Sequence, residues 1–460
     1  MSATEASYDT VVVGRRVLID GELRPAELGI AEGRIAAIAQ PGAALQAPRR
    51  IDAGAHAVVP GFIDLHVHFD NPGDSISADF AVGTANAALG GHTFVGDHPF
   101  STPLTTTGER YRDKIALAAA GARVDFGLWG ALTGPTIDEI PAQAACGAAG
   151  FKAFLPENDM DFPAALTEHL RRGLEVAARS GGTVLVHAED RLALLELDAR
   201  SRTQGWARDY AQLAAERGPE IELLAVREVL ALAEQTGGAV HFVHLSVPEA
   251  VDLVTASRAR GVRATCEVAA HHLLLEAAEL PELGWRAVCA PPLRARAHVE
   301  GLWDRLRAGE IAAVVSDHCP YAPEDKAQAD RDAFAGPFGI QGVREYAPLF
   351  LSEARERGWS LTEAVACLTA RPAELFRLAP AKGRIALGAD ADLAVLETDV
   401  DAAVSSSGQI GDWKWTPYEG RRATVRVRST IVRGTPVVLD GELCGAAGTG
   451  RFVPMRGWSA

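Results

Sequence analysis

Two histidines one residue apart, His66 and His68, close an apolar run in Phe62-Ile-Asp-Leu-His-Val-His. Alternate residues of an extended strand share a face, so both imidazoles are aimed into one space. They serve there as metal ligands or as satisfied polar side chains at a strand end. Four other apolar runs end on a residue of similar chemistry. Lys152 ends Gly150-Phe-Lys, His187 ends Thr183-Val-Leu-Val-His, His244 ends Val240-His-Phe-Val-His, and Asp317 ends Ala312-Ala-Val-Val-Ser-Asp. Four neutral imidazoles and one carboxylate suit a borderline divalent ion such as zinc.

Lys152 is out of place among cation ligands, because an ammonium repels metal. A neutral amine that has added carbon dioxide is an anionic carbamate, able to bridge two metals. The other reading is a structural lysine paired with Glu157 or Asp159. Lysine is scarce in this chain: only Lys114, Lys152, Lys326, Lys382 and Lys414 occur, and arginine supplies the remaining basic residues. A lysine in an apolar stretch therefore marks a position where an always-charged guanidinium would fail.

Elements able to gather these residues can be read from the hydrophobic pattern. Eight short apolar runs are expected as strands: Val58–His66, Thr93–Asp97, Val124–Gly130, Gly150–Leu155, Thr183–His187, Ala239–His244, Arg263–Glu267 and Ile311–Asp317. Helix-length stretches such as Pro163–Arg179, Ile221–Gln235 and Pro248–Arg260 separate them, with Pro163 suited to a first helical turn. Eight β-then-α units predict a (β/α)8 TIM barrel, whose polar strand ends meet at one mouth. The two ends of the chain read instead as short strands with glycine turns. They are expected to join as one small β-sandwich domain, residues 1–57 plus 386–460, around a barrel of residues 58–385.

With 460 residues, 48% of them hydrophobic and 23% charged, the chain can bury a large core. A formal charge of −15 disfavours binding to nucleic acid, which needs a basic surface. No run of about 18 apolar residues predicts a membrane span. The start lacks the basic and apolar regions of a signal peptide, and the six scattered cysteines contain no CxxC pair. Reduced thiols in a cytoplasmic enzyme are expected.

Taken together, Pro60-Gly-Phe-Ile-Asp-Leu-His-Val-His, Gly150-Phe-Lys, Val184-Leu-Val-His, His241-Phe-Val-His and Ser316-Asp-His resemble the amidohydrolase superfamily. More narrowly, the chain looks like its cyclic amidases: allantoinase, hydantoinase with dihydropyrimidinase, and dihydroorotase. The likeness extends to Lys382-Gly-Arg-Ile-Ala-Leu-Gly-Ala-Asp-Ala-Asp-Leu, where such chains leave the barrel.

This resemblance implies two divalent ions, zinc foremost, one held by His66, His68 and Asp317 and the other by His187 and His244, with carboxylated Lys152 bridging. It implies a shared hydroxide that attacks a ring carbonyl, while Asp317 moves the proton to the departing nitrogen. Val288-Cys-Ala-Pro-Pro-Leu-Arg resembles the segment that holds the ring through its backbone, so Cys289 and Gly339 are the expected ring contacts. His318, beside Asp317, and Asp70 complete the expected substrate-binding set. His98 and His241 are read as structural.

Dihydroorotases use an Arg where Asp70 stands and an Asn where Phe100 stands, so a carboxylate-bearing ring is disfavoured. Hydantoinases usually carry a Tyr shortly after the bridging lysine, absent from Lys152-Ala-Phe-Leu-Pro. Phe151-Lys-Ala-Phe-Leu, Ser316-Asp-His-Cys-Pro-Tyr-Ala-Pro-Glu-Asp-Lys and Lys414-Trp-Thr-Pro-Tyr-Glu-Gly-Arg resemble allantoinases most closely. The implied activity is opening of allantoin to allantoate, with hydantoins or dihydropyrimidines as the alternative. A scaffold of the same fold needs no carbamate-forming lysine, and all six ligand positions are filled here. Relatives imply a homo-oligomer, commonly a tetramer.

Overall fold

A computed structural model describes residues 8–43, 45–69, 71–73, 79–157, 162–206 and 209–456. The β-branched run at the start forms β1 (Thr10–Ile19), followed by β2 (Glu22–Ala31), β3 (Arg34–Ala39), β4 (Arg49–Asp52) and β5 (Ala57–Pro60). Barrel strands follow as β6 (Phe62–Val67), β7 (His92–Asp97), β8 (Asp125–Leu128), β9 (Gly130–Ala131), β10 (Gly150–Phe154) and β11 (Thr183–His187). They continue with β12 (Ala239–Phe242), β13 (Ala264–Ala269) and β14 (Ala313–Val315). The chain then adds β15 (Leu393–Ala403), β16 (Arg422–Val432), β17 (Thr435–Leu439) and β18 (Glu442–Leu443).

All barrel pairings are parallel, in the two arcs β6-β7-β8 and β9-β10-β11-β12-β13-β14. Trp129 separates β8 from β9 yet stays in line, its backbone N–H donating to Asp97 at 2.8 Å and its indole N–H to Leu65 at 2.8 Å. A parallel bridge between Val67 and His318 joins the two outer arcs, with His68 N–H donating to the His318 carbonyl at 2.8 Å. The fold is a TIM barrel with an added sheet domain, as expected. Strands such as β11 are buried along their whole length, the pattern of a parallel sheet covered by helices on its outer face.

Strands from both ends of the chain form one nine-stranded sheet, ordered β18-β17-β16-β15-β5-β1-β2-β3, with β4 also paired to β1. β16 alternates instead, with Ala423, Val425 and Val427 buried and Arg422 and Arg426 exposed, as suits a sheet with one wet face. Val12, Val17, Leu28, Ile30, Leu393 and Ile431 belong to an apolar cluster of this sheet. The expected strand Val58–His66 is divided between the domains: Ala57–Pro60 pairs with β15, and the chain passes through Gly61 into β6. Residues 451–455 leave the sheet. Phe452 bridges to Phe126 of β8, and Met455 is buried with Leu65, Phe94 and Leu185.

Helices Pro219–Thr236 and Pro248–Ala259 start on their prolines, where the missing N–H has no helical partner to lose. Pro163 does not behave this way. The helix begins at Thr167, because Phe162 and Ala165 are buried and Ala165 N–H donates to Phe154 at 2.6 Å, holding that segment extended against β10. No helix among the described residues is long and apolar enough to cross a membrane. None of the six cysteines forms a disulfide among the described residues.

Candidate active site

The polar strand ends converge. Nε2 of His66, Nε2 of His68 and Oδ1 of Asp317 lie 3.1, 3.1 and 3.3 Å from one another. Nδ1 of His66 donates to Glu267 Oε1 at 2.5 Å, so its Nε2 is the bare nitrogen. Nε2 of His66 and Oδ1 of Asp317, 3.1 Å apart, are then two acceptors with no hydrogen between them. The spacing is close to the edge of a tetrahedron whose centre lies about 2.0–2.2 Å from each ligand, the distance zinc takes to N and O donors.

A second pair stands beside the first. Nδ1 of His187 lies 3.1 Å from Nε2 of His244, and the rings of His66 and His244 are 5.4 Å apart. His187 Nε2 donates to Glu189 Oε2 at 2.8 Å, which leaves Nδ1 bare. Glu189 is held in turn by Arg217 through two bonds of 2.7 and 2.6 Å. Burial lowers the pKa of all four imidazoles and so favours their neutral, ligating form. Burial alone would raise the Asp317 carboxyl. The hydrogen bond from His68 and the imidazoles of His244, His68 and His271 outweigh it and hold Asp317 well below the usual carboxylate range.

Lys152 is fully buried, and its Nζ makes no hydrogen bond among the described residues. Burial lowers its pKa to about 8, against the opposing pull of Asp317 and Glu267. Glu157 pairs with Arg191 and not with Lys152, and Asp159 lies outside the described residues. At that value about a tenth of the amine is neutral at pH 7, against fewer than about one in a thousand at the ordinary lysine value, and the neutral amine is the form that can add carbon dioxide. The donor set therefore fits a pair of cations joined by an anionic lysine derivative. His244 and Asp317 also have left-handed φ values of 38° and 49°, a conformation that costs a non-glycine residue roughly 1–2 kcal/mol.

These residues open into a cavity of about 350 Å³, lined also by Phe100, Phe154, Leu194, Ala290 and Gly339. Gly339 stands where expected, but its N–H is taken by Val288 and its carbonyl by Lys326. Cys289 does not line the cavity. Its backbone N–H and carbonyl both bond the Tyr210 hydroxyl at 3.0 Å, and burial pushes its thiol up to about 12. Its neighbour Ala290 takes the wall position, and no hydrogen bond engages the Ala290 backbone among the described residues. His318 faces away from the cavity, with Nδ1 accepting from Gly342 at 3.1 Å and Val343 at 3.4 Å. Asp70 lies outside the described residues.

Several supporting residues were not anticipated. Glu267 grips His66 with one oxygen and His241 with the other, at 3.1 Å. Lys326 ties the Val288 loop to the Pro337–Gly339 loop through three carbonyls at 2.7 to 3.0 Å. The signal for Glu267 was the one that marked Lys152: a charged residue inside an apolar strand, Ala-Thr-Cys-Glu-Val-Ala. His98, read as structural, stacks on His66 with ring centres 3.9 Å apart.

A barrel carrying two clusters of bare imidazole and carboxylate donors at the ends of its strands defines a class of hydrolase. Residues 57–437 match the Amidohydrolase family, and the chain belongs to it. It is 38% identical to an allantoinase of Rubrobacter xylanophilus, over 98% of this chain and 99% of that one. An allantoinase of Deinococcus radiodurans is 36% identical over 95% and 97%. Among solved structures, the L-hydantoinase (dihydropyrimidinase) of Arthrobacter aurescens superposes with a TM-score of 0.92 at 29% identity, covering 97% of this chain and all of that one.

Proposed function

We propose that this protein hydrolyses the ring amide of allantoin to give allantoate, using two divalent cations, with zinc the expected metal. The convergence of the His66, His68 and Asp317 donors with the His187–His244 pair, beside the unpartnered amine of Lys152, carries the reading. Full-length likeness to allantoinases supports the choice of ring.

His66, His68 and Asp317 would hold one cation, and His187 and His244 the other. Lys152 would join the two sites after its neutral amine adds carbon dioxide and releases a proton. Cations bound there would supply Lewis acidity and make water nucleophilic at neutral pH. Asp317 turns Oδ1 toward the two histidines and keeps Oδ2 to accept the nucleophile's proton and return it to the leaving ring nitrogen. The open N–H and carbonyl of Ala290 match the alternating groups of a ureide ring. Phe100 and Phe154 shield the reacting face from water.

Hydantoins and dihydropyrimidines are the second reading, favoured by the apolar side chains Phe100, Phe154 and Leu194 on the cavity wall. Six cysteines without a disulfide among the described residues fit a reducing cytoplasm, and likeness to the family supports a homo-oligomer. The proposed domain division is 1–57 plus 386–460 for the sheet and 58–385 for the barrel.

The test is turnover of allantoin by the purified, metal-loaded protein, followed as ureido-acid release. Asp317→Asn should lower the rate about 10²–10⁴-fold. A protein holding two metals that leaves allantoin intact would discard this substrate.

A further inference from the structure

Apart from the candidate metal ligands, four charged side chains among the described residues line the cavity: Glu157, Arg191, Asp198 and Arg217. Two are already committed. Arg217 is clamped by Glu189 and lies across the ring of Phe338, and Asp198 accepts from Arg202 at 2.7 Å. Arg191 and Glu157 are differently disposed. Nε and Nη2 of Arg191 both fall on one oxygen of Glu157, Oε1, at 2.8 and 2.7 Å. Nη1 of Arg191 and Oε2 of Glu157 make no hydrogen bond among the described residues. A donor and an acceptor therefore stand side by side on the wall.

Their setting sharpens the contrast. Arg191 opens the helix Arg191–Gln204, whose residues 191, 194, 195 and 198 present one stripe to the cavity. Leu194 and Leu195 thus flank the ion pair, and Phe154 precedes Glu157 on the β10 side. Arg191 and Glu157 remain 34% and 54% exposed, so the pair stands at the open end of the cavity, the polar feature beside two leucines.

We propose that Arg191 and Glu157 form a clamp for an exocyclic ureido arm on the ring substrate. Arg191 donates to the ureido carbonyl, and Oε2 of Glu157 accepts from its terminal N–H. The proposal rests on the allantoin reading above and deepens it by naming what distinguishes allantoin from the bare hydantoin ring. Both rings offer the same amide to the metal end of the site, and only allantoin reaches the clamp.

The experiment compares allantoin with unsubstituted hydantoin, by calorimetric binding and by turnover, in the metal-loaded wild type and in Arg191→Met and Glu157→Gln. The wild type is expected to bind allantoin at least about tenfold more tightly than hydantoin, and either substitution to bring the two within about twofold. Hydantoin binding should hold steady, which also reports that the variants fold. A wild type that prefers allantoin but does not open it would sink the allantoin reading and leave the clamp standing. Allantoin turnover in variants that weaken both rings alike, or neither, would overturn the clamp and leave the reading standing. A wild type with no preference between the rings also overturns the clamp.

Discussion

Glu267 holds His66 through a 2.5 Å hydrogen bond to Nδ1, and this bond decides which nitrogen of His66 faces Asp317. The carboxylate is shared with His241, so one buried side chain orients two strands of imidazoles. Glu267→Gln keeps the shape but loses the anion that fixes the tautomer. Metal affinity is expected to fall about 10–100-fold, measured by competition with a chromogenic chelator.

Among the described residues the Lys152 amine has no hydrogen bond to lose and only the Phe154 ring, 4.8 Å away, beside it, so its replacement should act through metal and not through packing alone. Lys152→Ala is expected to lose bound metal and turnover together, and Lys152→Arg, which cannot present a neutral amine, should fail equally. In the wild type, metal-stripped protein should recover faster with metal plus bicarbonate than with metal alone. A pKa of about 8 makes the neutral amine grow with pH, half-complete at that value, so recovery should rise through about pH 8 and level roughly a unit above it. Full activity in metal-replete Lys152→Ala would refute the bridging role.

Gly339 meets Cys319 so closely that a methyl group has nowhere to go. An added Cβ would collide with the Cys319 Cβ and stand 2.8 Å from the Tyr321 ring. Gly339→Ala should displace the loop that Lys326 ties to Val288, raising KM about tenfold while metal content stays unchanged. Parallel kinetics and metal analysis separate the two effects.

Glu222 is buried beneath Ser246, which donates to it through both N–H and hydroxyl. Burial raises its pKa from the ordinary 4.5 to about 7, against the opposing pull of Arg294. The unfolded chain thus releases this proton from pH 4.5 upward, while the folded chain keeps it until about 7. Folding therefore loses stability across that window and loses no more above it. In Glu222→Gln this loss should disappear: wild-type Tm falls relative to the variant between pH 4.5 and 7, then runs parallel to it.

The strand ends were legible because an apolar run closed by a ligand-type residue is a local pattern, and Thr183–His187 forms as expected. Lysine scarcity was informative but not selective. Lys114, Lys326 and Lys382 are buried as well, yet each is satisfied: Lys114 by Asp97 and two carbonyls, Lys326 by three carbonyls, Lys382 by Asp125 and Asp392. Only the folded arrangement shows Lys152 without a hydrogen bond among the described residues. The loop contacts are hidden from the sequence for a related reason. Whether Cys289 or Ala290 faces the cavity depends on Tyr210, 79 residues away, which takes the Cys289 backbone. The His318 ring serves the backbone of Gly342 and Val343, a contact that no local pattern announces.

The terminal sheet sets an order of events during synthesis. β5 lies between β1 and β15, and Thr10 reaches the carbonyl of Gly434 across 424 residues of chain. At about 5–20 residues per second, β5, which ends at Pro60, waits roughly 17–67 s for β15, which starts at Leu393. Through that interval the barrel strands leave the ribosome while one edge of β5 has no partner. An exposed edge of this kind invites pairing with other chains. The nascent chain is thus most vulnerable to aggregation late in translation, and slower synthesis prolongs the risk.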